Sequence, residues 1–228
     1  IGKSRLVRET VNLARGRGVA VYHSECESHT TDIAFHACRR LLRSVLALDN
    51  LTDDDARSSI REQLPDAEPL DVALLEDLLG VHGQPEAPPE VAPDARRRRL
   101  AALLNTAALA RTDPAMLVVE DVHWIDAPSE AMLADFVSII TQTPIVMIIS
   151  YRPEYRGLLA QTPEGQKITL APLRETQTTD LLDALMGVDP STDALKTLIV
   201  QRASGNPFFA QEIVRDLAER GIFEEQPG

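Results

Sequence analysis

The stretch Met116-Leu-Val-Val-Glu-Asp-Val-His-Trp-Ile-Asp126 decides the fold. Four apolar residues, Met116–Val119, run without interruption into two acids, Glu120 and Asp121. A continuous apolar run of this length reads as a strand buried on both faces, the kind found in parallel sheets covered by helices. Acids at such a strand's C-terminal end stand where ligands sit in an open α/β sheet. In phosphoryl transfer, one carboxylate there serves Mg²⁺ and its neighbour orients or deprotonates the attacking water.

Working outward, the same alternation of apolar runs and helical periods recurs. Residues 4–14 place Leu6, Val7, Val11 and Ala14 on one helical side, and Gly16 and Gly18 end that helix. Residues 19–26 read as a strand. Helices are predicted over 33–48, 53–64, 70–79, 95–111 and 129–141, and a second buried strand over 144–150. Residues 81–94 carry four prolines and read as loop. "KITL" at 167–170 reads as a short further strand. Beyond Pro172 only helices are predicted, over 175–186, 193–203 and 207–220. Strands alternating with helices predict a mainly parallel, doubly wound sheet covered on both faces. The division expected is a core over 1–171 and a small all-α subdomain over 172–228.

Composition narrows the function classes. The 228 residues carry a net charge of −12, which argues against a nucleic-acid face on this segment. With 44% hydrophobic residues there is material for a core, yet no run approaches the ~20 apolar residues of a membrane span. Two cysteines give no disulfide framework and suit a reducing compartment. No export signal is visible, so the sequence predicts a soluble, cytoplasmic chain.

Gly2-Lys3-Ser4 runs straight into the first helix. A phosphate-binding loop reads G-x-x-x-x-G-K-[ST], its backbone N–H groups cradling phosphates, its lysine on the outer phosphates and its hydroxyl on Mg²⁺. Gly2, Lys3 and Ser4 supply the end of that pattern, and the helix start would aim a partial charge of about +0.5 at the anion. The first glycine would precede Gly2 by five residues. The sequence therefore predicts a segment cut from a longer protein, without its first strand and the start of its loop.

Four motifs in order, "IGKSRLV", "LVVEDVHWIDAPS", "SYRPEY" and "ASGNPFFAQEIVRDL", resemble the P-loop ATPase module of the STAND class. More narrowly they resemble the AAA-type module of large bacterial regulators that carry adenylate cyclase or LuxR-type DNA-binding domains. The resemblance implies a P-loop NTPase fold binding ATP or ADP with Mg²⁺. It implies nucleotide contacts from Gly2, Lys3, Ser4 and Pro207, metal ligation by Ser4 and Glu120, and catalytic roles for Glu120, Asp121 and Arg152. Arg152 resembles a sensor of the terminal phosphate, and Pro207 resembles the lid residue that packs on the base. Output and sensor domains outside the segment, and a homo-oligomer, are implied as partners. Many such modules carry Asp before Glu, whereas this chain has Glu120 before Asp121, so their division of labour stays open and slow hydrolysis is expected. The expected function is an ATP-driven regulatory switch; a nucleotide-holding scaffold without hydrolysis is the alternative.

Other clusters have plainer readings. His23, Cys26, His29, His36 and Cys38 match no closed zinc spacing. Arg96–Arg99 spread round a helix and read mostly as a solvated face. Asn206-Pro207 reads as an N-cap with proline at the first helical position, followed by a core stripe of Phe209, Ile213 and Leu217. Trp124 reads as packing, while His123 or Asp126 could order the acidic site.

Overall fold

The computed structural model describes residues 2–81, 91–163 and 165–221. It divides into two compact units, Val7–Gly165 on one hand and Ile1–Leu6 with Gln166–Gly228 on the other. Most of the expected loop over 81–94, and the last residues of the expected helical subdomain, lie outside the described residues.

In the larger unit three parallel strands stand in the order β1 (Ala20–Glu25), β2 (Ala115–Glu120), β3 (Ile145–Ile149). The uninterrupted apolar run puts β2 in the middle, with Val118 and Val119 fully buried. Burial of each such side chain contributes ~1.5–3 kcal/mol relative to exposure. Alternation along the strands creates two faces. On one, Met116 and Val118 meet Val7, Val11 and Ala14 of α1 (Lys3–Gly16), joined by Val21 and Ile148. On the other, Leu117 and Val119 enter the main core with α2 (His36–Val45), α4 (Pro69–Leu79), α5 (Pro93–Ala110) and α6 (Ala127–Val137). Between α2 and α4 comes α3 (Asp53–Gln63), capped by Thr52, whose hydroxyl accepts from the Asp55 N–H. Helices on both faces of a parallel sheet make this the α/β arrangement the sequence predicts.

Three of the four consecutive arginines are engaged rather than merely solvated. Arg96 pairs with Asp77 and Arg99 with Asp71, both on α4, and Arg97 reaches Asp135 on α6 at 2.8 Å. Their spread round α5 lets one helix grip two neighbours.

Among the described residues of the smaller unit are α7 (Glu175–Met186), α8 (Asp193–Ala203) and α9 (Pro207–Glu219), packed around Leu182, Ile199, Ala203, Ala210 and Val214. Lys196 is buried, donating to the Gly187 carbonyl at 2.7 Å and paired with Asp183. Gly205 takes φ +74°, and its carbonyl accepts from Leu173 N–H at 2.8 Å; a Cβ there would overlap the Leu173 backbone.

Two local expectations fail here. Residues 167–170 form no strand: the described residues of their unit offer no ladder partner, and Ile168 is 67% exposed. Phe209 does not face the core. It is 54% exposed, and Ala210 and Val214 are buried instead, while Ile213 and Leu217 of the expected stripe do pack against that core.

Candidate functional site

The three strands run parallel, so their C-terminal ends share one edge of the sheet, with Glu25 in register with Glu120. Glu120 continues the face of Met116 and Val118, the face that α1 covers. Its side chain is 16% exposed, and its Oε1 lies 3.0 Å from Nε2 of His23 on β1. The Glu120 carbonyl accepts from Cys26 N–H at 2.9 Å, so β1 grips this residue through both main chain and side chain.

Asp121 turns out of the strand with φ +55°, a left-handed conformation that Asp tolerates better than most residues. Ser150, just after β3, holds the turn. Its hydroxyl accepts from Asp121 N–H at 3.0 Å, and its carbonyl accepts from Val122 N–H at 3.0 Å. The turn sends the Asp121 carboxylate away from the strand, 38% exposed, with His123 Nδ1 at 3.7 Å.

The short 3₁₀ turn Val122–Trp124 leads to Asp126, which is buried and caps α6. One Asp126 oxygen accepts from Ser129 N–H at 2.9 Å and from Phe35 N–H at 2.7 Å, while the other accepts from Ala37 N–H at 3.3 Å. The carboxylate thus ties the start of α2 to the start of α6. It orders the loop beneath the acidic tip and leaves no oxygen directed at a ligand.

Arg152 follows β3 by three residues and carries its guanidinium carbon 5.9 Å from the Trp124 ring centroid. Beyond it, the Glu130 carboxylate accepts from Tyr155 O–H and from Leu158 N–H, the latter at 2.7 Å. Gly157 stands so close that a Cβ would overlap that carboxylate. Burial first, and then the bond to Glu130, hold the Tyr155 phenol well above its ordinary range, so it stays a proton donor.

Glu120, Asp121 and Arg152 therefore share the C-terminal edge of one sheet. Gly2, Lys3 and Ser4 belong to the other compact unit, where Lys3 opens α1 and Gly2 takes φ +81° immediately before it. That conformation favours glycine and leaves the backbone unshielded by a side chain. Pro207 occupies the first turn of α9, behind an Asn206 cap whose side-chain oxygen accepts from Phe208 N–H at 3.0 Å. Ser150 escaped the reading of the sequence, and His23 entered it only in the zinc comparison, not as a partner of Glu120. No spacing rule exposes them, because both act across strands that lie far apart in the chain.

The AAA ATPase domain family model matches residues 1–149. The chain belongs to the AAA ATPase domain family. As an AAA ATPase domain it is a P-loop module of a family whose members bind ATP with Mg²⁺. It is similar to "Uncharacterized protein R02095" of Rhizobium meliloti (strain 1021), 28% identical over 185 residues. That alignment covers 78% of this chain and 18% of the relative. No solved structure matches it significantly. No helix among the described residues of this AAA domain is long and apolar enough to cross a membrane.

The donor set fits the metal such domains use. Glu120 and Asp121 are hard oxygen donors at a partly open strand tip, and Mg²⁺ takes one or two carboxylates together with substrate phosphates and water. When bound, the ion would neutralise charge on the transferring phosphoryl group.

Proposed function

We propose that this AAA ATPase domain is the ATP-binding, slowly hydrolysing regulatory switch of a larger signalling or transcription-regulatory protein of the STAND class. The observation that carries the reading is the tip of β2: two adjacent carboxylates leave a fully buried strand in different directions, between His23 and Ser150. Two divergent acids supply the two duties phosphoryl transfer asks of them, metal side and water side. In this account Lys3 and the Gly2 backbone hold phosphate, Ser4 and Glu120 serve Mg²⁺, and Asp121 orients water. Arg152 answers to the terminal phosphate, and Pro207 packs on the base from a helical lid over 172–228. Loss of the terminal phosphate removes what Arg152 holds and so biases the lid. The outer edge of β3, an apolar strand paired only with β2 among the described residues, suits a further parallel strand. The length of the Rhizobium relative, of which the aligned part is 18%, supports a setting with further domains.

One observation favours a second reading, a nucleotide-holding scaffold that does not hydrolyse. His23 already engages one oxygen of Glu120. A single-turnover assay on the full-length protein with Mg²⁺-ATP separates the two. ADP appearing in wild type and absent from the Asp121→Asn variant supports the switch, while ATP recovered unchanged from wild type supports the scaffold.

A further inference from the structure

Trp124 is the single tryptophan of the chain and ends the turn that follows the acidic tip. It is held firmly for a side chain that is 37% exposed. Its backbone N–H donates to the Asp121 carbonyl at 2.9 Å, and its backbone carbonyl accepts from the Thr31 hydroxyl at 3.1 Å. Its ring tilts against the His123 imidazole with centroids 5.1 Å apart. The guanidinium carbon of Arg152 lies over the same ring, 5.9 Å from its centroid.

That choice of partner is informative. The chain carries 35 acidic residues, yet among the described residues no carboxylate forms an ion pair with Arg152. An arginine paired with a carboxylate spends its N–H edge on that partner. One held over an aromatic ring by a cation–π contact keeps its N–H donors uncommitted, and that planar fork matches an oxyanion. The contact also restricts a long side chain that would otherwise sample many rotamers, so less freedom is lost when an anion arrives.

We propose that Trp124 is a positioning residue that keeps the Arg152 guanidinium over its ring by a cation–π contact, so that the N–H donors remain available to the terminal phosphate of a nucleoside triphosphate. This rests on the reading of Arg152 given under Proposed function. It adds a route by which the acidic tip and the arginine are built as one piece, since Asp121, His123, Trp124 and Arg152 touch in sequence.

The test is the ratio of ATP to ADP affinity, measured by calorimetry on full-length protein with Mg²⁺. Arg152→Gln is expected to lower the ratio about tenfold, as loss of a charge-assisted fork should. Trp124→Leu is expected to lower it about 2–5-fold, the size of an exposed cation–π contact. Trp124→Phe keeps a ring and is expected to stay within about twofold of wild type. In the Arg152→Gln background, Trp124→Leu is expected to change nothing further. Equal ratios for the Leu and Phe variants, or an undiminished effect of Trp124→Leu in the Arg152→Gln background, would overturn the proposal while leaving the Arg152 reading intact. A ratio unaffected by Arg152→Gln would overturn both.

Discussion

The imidazole of His23 and the carboxylate of Glu120 meet at 3.0 Å across the two strands β1 and β2. His23 is 42% exposed and Glu120 16%, so the contact fixes the direction of Glu120 more than it stabilises the fold. His23→Ala is therefore expected to slow hydrolysis about fivefold, the ~1 kcal/mol of one hydrogen bond, with nucleotide affinity changed less than twofold. His23→Gln, which keeps a donor, should recover part of the rate. Steady-state phosphate release checks both variants, and wild-type turnover in His23→Ala would show that the contact is idle.

Asp126 makes the opposite kind of contribution. Its buried carboxylate accepts from three backbone N–H groups on two helices, so Asp126→Ala strands all three donors and removes the cap of α6. The expected cost is about 2–4 kcal/mol. Asp126→Asn, which keeps one acceptor oxygen, should cost less. Urea unfolding followed by circular dichroism gives the comparison, and a loss below 1 kcal/mol for the alanine variant would refute the clamp.

How much of this could be read from the sequence differs by element, for physical reasons. The strand Ala115–Glu120 and its acidic tip were legible because a continuous apolar run ending in charge has few other uses in a folded chain. His23 was not, because its partner is set by the parallel register of β1 on β2 across 97 residues, which no local period encodes. Phe209 was misplaced by one residue. The period of α9 is visible, and Ile213 and Leu217 do pack on the core, but in the first turn it is Ala210, not Phe209, that is buried. "KITL" has strand-like residues, but a strand also needs a bonded neighbour, which a short segment cannot announce. Asp126 was marked in the sequence as able to order the acidic site, but neither its cap of α6 nor its two bonds to the start of α2 was legible.

The two cysteines predict a pH dependence. Burial first, then nearby Asp126, pushes the Cys26 thiol up to about 12 from 9.0, and burial raises Cys38 to about 12 likewise. Folding favours the protonated thiol, so this stability is complete below pH 9.0 and declines as pH rises from there toward 12. Urea midpoints should fall as pH rises from 9.0, by less in Cys38→Ala than in wild type. Both thiols should resist a thiol reagent at pH 8 until the protein is unfolded, and rapid native labelling would contradict their burial.

Gly205 and Gly18 offer a matched pair. Both have positive φ, +74° and +76°, but a Cβ at Gly18 meets nothing within 4 Å while one at Gly205 overlaps the Leu173 backbone. Gly18→Ala should cost ~1 kcal/mol from backbone strain alone, and Gly205→Ala clearly more, about 2–3 kcal/mol. Thermal melts rank the two variants, and the reverse order would argue against the Leu173–Gly205 contact.

The central claim, that this AAA ATPase domain binds nucleotide through the turn that opens α1, is tested most directly by calorimetric titration of Mg²⁺-ATP into the full-length protein and its Lys3→Ala variant. The account predicts saturable binding by wild type and at least about a tenfold loss in the variant, the size of one charge-assisted phosphate contact. Equal affinity in both proteins, or binding by neither, would contradict it.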